Sequence, residues 1–332
     1  MQVGRLKNRG LVALVGVAVL AAGSLTACGS SDDTASASDG GLTKVTVLRS
    51  TGATFEGLYI AQSQGYFSDA GLDVTIKAGA ADTSQNVPSV LNGEAEFAMT
   101  DSAGFLKAAA QEIPVRMVVQ LQASEPDAAV SDGTLVPPNS SIKSAKDLDG
   151  KTVGLPALGG NIQMITQYAV EKAGGDPKSL NLVALPVTSL QDSAAKGQVD
   201  AITTFAGYYD GAKAAGFAPI GNGSNDFPGL PQALIFSSVE WLAGHGDVAK
   251  KFAAAVAKGL EYANDNPDTI RAVDGQYTKM DAETIKNRTI QTFGASFDVG
   301  QVKLAAEKMY DYGIVKSKID TGQILWDGAP TD

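Results

Sequence analysis

Cysteine and histidine are almost missing from the 332 residues: Cys28 and His245 are the only ones. A lone cysteine closes no disulfide within its chain, and a thiolate zinc site needs several. One histidine allows no His cluster, no Cys–His pair and no Ser–His triad, so the usual nucleophilic chemistry lacks its groups. His245 itself stands in Gly244-His245-Gly246, ahead of a helix, and reads as a surface turn residue. Nothing in the chain calls for a cofactor or a metal. Positive charge is also scarce, with 26 Lys and Arg against 36 Asp and Glu and a net charge of −10. Nucleic-acid binding selects basic patches, so that class is excluded. The apolar run at residues 11–22 is too short for a membrane span, which takes ~20 residues.

The first 28 residues instead set out a secretion signal. Arg5, Lys7 and Arg9 give a basic start, the apolar run follows, and small residues lead to Leu25-Thr26-Ala27-Cys28. This segment resembles a bacterial lipoprotein signal, whose cysteine is lipidated and becomes the mature N-terminus. Residues 1–27 are therefore expected to be removed and Cys28 to carry lipid. Residues 28–41 are nearly all Gly, Ser, Asp, Ala and Thr. Such a stretch cannot bury enough apolar surface to order itself and should act as a flexible tether. The expected location is outside the cytoplasm, beside a membrane that the protein does not enter. Lipid chains hold it there at ~0.8 kcal/mol per buried methylene.

Beyond the tether, hydrophobic residues make up 44% of the chain, and the length usually exceeds one compact core. Short β-rich runs alternate with helical ones, the pattern of an α/β protein. Val45 and Val47 mark a first strand. Leu72, Val74 and Ile76 alternate with Asp73, Thr75 and Lys77 in a second. Further strands are expected at 97–99, 115–119, 128–130, 135–136, 151–155, 181–185, 199–203, 217–220 and 234–236. Helices fill the gaps, among them one with Ile162, Ile165 and Ala169 on a single face. Another has Val248, Phe252, Val256 and Leu260 every four residues, is capped by Asp247 and ends at Asn266-Pro267. Helices near 283–292 and 299–310 complete the chain. Two stretches, Gly93-Glu-Ala-Glu-Phe-Ala-Met-Thr100 and Gly197-Gln-Val-Asp-Ala-Ile-Thr-Thr204, run in parallel. They read either as two similar lobes or as the common look of βα units.

Residues 57–67, Gly57-Leu-Tyr-Ile-Ala-Gln-Ser-Gln-Gly-Tyr-Phe67, followed by Ala70-Gly-Leu-Asp-Val-Thr-Ile76, carry a family resemblance. So do Leu91-Asn-Gly-Glu-Ala-Glu-Phe-Ala98, Ile142-Lys-Ser-Ala-Lys-Asp-Leu-Asp-Gly-Lys-Thr-Val-Gly154, Gly197-Gln-Val-Asp200 and Leu260-Glu-Tyr-Ala-Asn-Asp-Asn-Pro267. In order and spacing the chain, from 42 to about 310, resembles the substrate-binding proteins of ABC importers. The group is the sulfonate, nitrate, taurine and thiamine-precursor one. The resemblance implies a two-lobed α/β fold of the periplasmic-binding-protein type II kind, with a hinge and an interlobe ligand cleft. Mapped here, 42–123 with 232–332 would form lobe 1 and 124–231 lobe 2.

Ligands in open α/β sheets bind beyond the carboxyl ends of the strands, which makes the loops there the candidates. The first holds Arg49, Thr51, Thr54 and Phe55; Arg49 either pairs with an oxyanion or points outward as a strand-end charge. The second, Thr100, Asp101 and Ser102, either meets an amine or simply caps a helix. The third is Gly159, Gly160 and Asn161, where paired glycines let the backbone approach an oxyanion. It lacks the Lys and Ser/Thr of a P-loop. Thr188 follows, then Thr204, Phe205 and Tyr208, whose rings either stack on a flat ligand or pack in the core.

The function implied is a solute-binding lipoprotein, a monomer with no enzymatic activity, that delivers a small organic anion of sulfonate or taurine type to an ABC permease and its ATPase. The alternatives are a pyrimidine thiamine precursor or other small aromatic solute, or a scavenging or sensing lipoprotein without a transporter.

Overall fold

Alternating apolar residues that fit a pleat set the first sheet. In the computed structural model, which describes residues 41–50, 54–80 and 83–332, β1 (Thr43–Arg49) buries Val45 and Val47. It pairs in parallel with β2 (Leu72–Ala78), Val45 opposite Val74. After β3 (Phe97–Thr100) and β4 (Val115–Ala123) the chain leaves this sheet. It then builds a second one from β5 (Asp132–Val136), β6 (Thr152–Leu155), β7 (Asn181–Ala184), β8 (Ala201–Phe205) and β9 (Ala218–Pro219). Finally β10 (Pro231–Ser238) returns and runs antiparallel between β3 and β4. The orders are β2-β1-β3-β10-β4 and β7-β6-β8-β5-β9, so the chain passes between the sheets twice, over 124–131 and 220–230. The 128–130 segment lies on the first passage and not in a strand.

The helices are α1 (Glu56–Ser63), α2 (Tyr66–Asp69), α3 (Val87–Leu91), α4 (Ser102–Ala109), α5 (Asn161–Lys172), α6 (Leu190–Ala195), α7 (Ala206–Ala214), α8 (Val239–Asp265), α9 (Pro267–Tyr277), α10 (Ala282–Asn287) and α11 (Val299–Asp311). On one face of the first sheet, α1, α2, α8 and α9 enclose a core around Phe67, Phe97, Phe252 and Ile270. On the other, α3, α4 and α11 enclose Phe105, Phe236 and Met309. The second sheet is covered by α5 on one side and by α6 and α7 on the other. The expected single apolar face of α5 is in fact split. Ala169 and Val170 pack on the second sheet, while Met164 and Ile165 join the core of the first and Ile162 touches both.

Two helix boundaries hold more than the sequence reading gave. Helix α8 is two helices joined across a non-helical kink at His245 (φ −132°, ψ 28°), so the helix expected after Asp247 is preceded by a shorter one from Val239. His245 is exposed at that break, a surface turn residue as expected, and its ring stacks on Trp241 with Nδ1 3.0 Å from the Trp241 carbonyl. Pro267 ends α8 but also opens α9 at its first position, where the missing N–H breaks no helical bond.

Helix α8 approaches α1 at Gly259. A Cβ built there would lie 2.5 Å from the Gly57 carbonyl oxygen and 2.7 Å from Ala61 Cβ. Gly259→Val is therefore expected to destabilise by about 1–3 kcal/mol through overpacking, read as a lower urea midpoint. An unchanged midpoint would mean the two helices can separate freely. Among the described residues no helix is long and apolar enough to cross a membrane.

Candidate solute-binding cleft

The carboxyl ends of β1, β4 and β8 lead into a cleft of about 1020 Å³ between the two sheets. Thr54, Glu56 and Gln122 line it from the first sheet. Ser131, Phe205, Tyr208 and Asp210 line it from the second, and residues between Lys279 and Phe293 close a third side. Two lining residues, Thr54 (φ 79°) and Ala206 (φ 49°), hold left-handed backbone that residues with a Cβ rarely adopt. Strain of this kind collects at ligand sites. Phe205 and Tyr208 keep 40% and 45% of their surface exposed, enough to offer ring faces to a solute. Helix α7 begins here with no side-chain cap, so its partial positive end meets the cleft.

The floor is an ionic unit. Arg288 Nη2 lies 2.6 Å from Glu56 Oε1 and 2.6 Å from Asp274 Oδ2, and its Nε donates to the same Asp274 oxygen at 2.7 Å. Both carboxylates are fully buried and close enough to share a hydrogen bond, and the Glu56 carboxyl also meets its own backbone N–H. Burial pushes the Glu56 carboxyl up to about 7; Arg288 opposes the shift and Asp274 adds to it. On the wall, Gln291 accepts from Gln122 Nε2 and donates to Ser131 Oγ at 2.5 Å, tying the ends of the two sheets together.

Of the residues singled out in the sequence, Thr54, Phe205 and Tyr208 line this cleft. Arg49 neither lines it nor points to solvent. Its Nε donates to Tyr59 Oη at 3.2 Å, its Nη1 to the Ser50 carbonyl at 2.8 Å and its Nη2 to the Tyr277 carbonyl at 3.1 Å. The guanidinium also sits 4.2 Å from the ring centre of Phe55, which is fully buried beneath it. Asp101 caps α4, accepting from the Gly104 N–H at 2.6 Å. The second and third candidate loops meet each other. Asn161 Oδ1 accepts from Ser102 Oγ at 2.9 Å and from the Ala103 N–H at 3.0 Å, bolting α5 to α4. Gly159 N–H donates to Gln163 at 2.8 Å, and Gly160 is the extended N-cap of α5. Thr100 is buried with its hydroxyl 3.3 Å from that of Thr83. Thr204 is buried with its hydroxyl unpartnered, and Thr188 is exposed on a short turn outside the cleft. Thr51 and Cys28 lie outside the described residues. Glu56, Asp274 and Arg288 were not among the candidates; Glu56 directly follows one of the chosen loops.

Among the described residues no group of three or more His, Cys, Asp or Glu could hold a metal ion. Residues 53–270 match the family model described as NMT1/THI5 like. The chain belongs to that family. A formylaminopyrimidine-binding protein of Halalkalibacterium halodurans is 27% identical over 218 residues, 64% of this chain and 63% of that one. The match thus spans a little under two thirds of that relative. Among solved structures, the periplasmic aliphatic sulphonate binding protein SsuA from Escherichia coli superposes with a TM-score of 0.71 at 16% identity, over 87% of this chain and 94% of that one. The nitrate-binding protein NrtA from Synechocystis PCC 6803 gives 0.61 at 13% identity, over 84% of each chain. At those identities the likeness establishes the fold, that of the periplasmic binding proteins.

Proposed function

We propose that this NMT1/THI5-like protein is the extracytoplasmic receptor of an ABC importer, held to the membrane through lipid on Cys28. It captures a small organic solute and hands it to the permease as a monomer, without turnover. The observation that carries this reading is the cleft, walled by strand ends of both sheets and offering two exposed rings. Residues 42–123 with 232–332 form one lobe and 124–231 the other. They hinge at the two chain passages and close over the solute.

The lining favours a flat aromatic solute over a plain sulfonate. Phe205 and Tyr208 suit a ring, the cation expected to hold an anion, Arg49, is already tied to three oxygens of the protein, and buried acid lies in the floor. The sulfonate reading keeps one support, the uncapped start of α7 beside Lys279.

A thermal-shift screen against sulfonates, taurine, nitrate, carboxylates and pyrimidines tests the proposal. A solute at a hundredfold excess over Kd should stabilise by about 2.7 kcal/mol. Tyr208→Ala should weaken binding by about 1 kcal/mol, roughly fivefold in Kd, while leaving the melting temperature of the empty protein nearly unchanged. No shift with any class would remove the receptor reading.

A further inference from the structure

Helix α5 belongs to the second sheet by sequence order and by packing, since Ala169 and Val170 lie on that sheet. Its other stripe faces the first sheet. Asn161, Met164, Ile165, Tyr168 and Glu171 fall on one helical face. Asn161 accepts from Ser102 and Ala103 at the start of α4, and Met164 and Ile165 are buried in the core with Phe105 and Met309. Tyr168 stacks on Phe227 at 4.3 Å, and Glu171 accepts from Lys308 Nζ at 2.5 Å and from Tyr312 Oη, both at the end of α11. This seam and the cleft lie on opposite sides of the two chain passages. On the first sheet, α4 and α11 cover one face, whereas Glu56 and Phe293, which line the cleft, belong to the other. On the second sheet α5 covers one face, and α7, whose start lines the cleft, covers the other. The passages between them are tied together. Ser124 N–H donates to the Leu230 carbonyl at 2.9 Å, Gly229 N–H to the Ser124 carbonyl at 2.7 Å and Asn225 Nδ2 to the Ala128 carbonyl at 2.7 Å.

We infer that this seam is a latch that holds the cleft open, with Glu171 as its catch. The inference rests on the proposed closing of the two lobes about the passages. Two bodies that turn about a line part on one side as they approach on the other. Closing the cleft must therefore draw α5 away from α4 and α11. The bridge from Gln122 through Gln291 to Ser131 joins the two ends of the first passage, so it sits at the pivot and survives the turn. Parting the seam would wet Met164 and Ile165, which are fully buried, and would break the ion pair of Glu171 with the nearly buried Lys308. A solute has to supply that energy. Its observed affinity is then its affinity for the closed form reduced by the fraction of protein already closed. The latch thus sets affinity without touching the solute.

Charge reversal tests the latch with no solute present. Glu171→Arg sets like charge against Lys308, and Lys308→Glu sets it against Glu171; neither residue lines the cleft. The two reversals together restore an opposite pair. The readout is the distance across the cleft, measured by pulsed electron spin resonance between labels on Lys213→Cys of α7 and Lys286→Cys of α10, both exposed positions. The whole chain is used, with Cys28→Ser so that no other thiol takes a label. Each single reversal is expected to raise the population at shorter distance by about fivefold, and the double reversal to return it to the wild-type value. Tyr312→Phe, which removes one donor to Glu171 and keeps the ring, should shift the same population in the same direction by less, and it serves if a reversal fails to fold. An unchanged distribution in every variant, a shift to longer distance, or a shift that the double reversal leaves in place would each overturn the latch. Thermal shifts of the wild-type protein with the solute panel are read separately. A binder there, with no change of distance in the variants, keeps the receptor reading and removes the latch. A change of distance with no binder keeps the latch and removes the receptor reading.

Discussion

Arg288→Met is expected to lower folding stability by about 3–5 kcal/mol, the range for removing one partner of a buried ion pair. The guanidinium donates to Glu56 Oε1 and Asp274 Oδ2, and without it two fully buried carboxyls face each other with no cation beside them among the described residues. Methionine fills much of the volume, so little of the loss would come from packing. The pH dependence gives the sign. In the folded protein the Glu56 carboxyl sits at about 7, above its ordinary 4.5, so the folded state holds a proton more tightly than the unfolded chain. That contribution is complete below pH 4.5 and is lost as the pH rises through 7. Removing Arg288 raises the carboxyl further, because the opposing charge is gone and Asp274 remains. The deficit of the variant should therefore be smaller at pH 5 and larger at pH 8. Urea midpoints at pH 5, 6.5 and 8 measure it. A deficit below 1 kcal/mol that ignores pH would mean water reaches the pair and does the work assigned here to Arg288.

This ionic unit also marks where reading the chain stops. Val45, Val47, Val74 and Ile76 could be placed because alternation is a local property, and Val248, Phe252, Val256 and Leu260 because a period of four is. The strand-end rule brought Thr54, Phe205 and Tyr208 forward, since it needs only the order of elements. Glu56 and Arg288 stand 232 positions apart, and no local pattern joins them. Ser102 and Asn161 show the opposite outcome. Each lies in a loop suited to a ligand, but the fold brings the two loops together, and each supplies the hydrogen bond the other needs. Arg49 is a similar case: a strand-end cation reads as an anion site until Tyr59 and Tyr277 are seen stacked at 3.7 Å beside it. The two faces of α5 were hidden for another reason. Apolar spacing reports that a side is buried, not which of two sheets buries it.

Phe252→Ala should lower stability by about as much as the loss of Arg288, ~3–5 kcal/mol, and do nothing comparable to binding. Its ring is stacked on Phe97 at 4.2 Å and on Phe67 at 5.5 Å, and Phe97 meets Trp241 edge-on at 5.0 Å. All of these lie in the core between α8 and the first sheet. Truncation leaves a cavity that the stacked rings cannot close without leaving their own contacts. For a chain of this size the melting temperature should fall by roughly 10 °C. The cleft residues take their positions from other partners. Arg288 is fixed by Asp274 and Glu56, Gln291 by Gln122 and Ser131, and Tyr208 by a helix of the second sheet. The Kd of any solute that binds should therefore stay within about threefold of wild type at a temperature where both proteins are folded. Tyr208→Ala should show the reverse, with Kd changed and the melting temperature nearly constant. A large loss of affinity in Phe252→Ala would instead mean that α8, pressed on α1 at Gly259, is what holds Glu56 in the floor of the cleft.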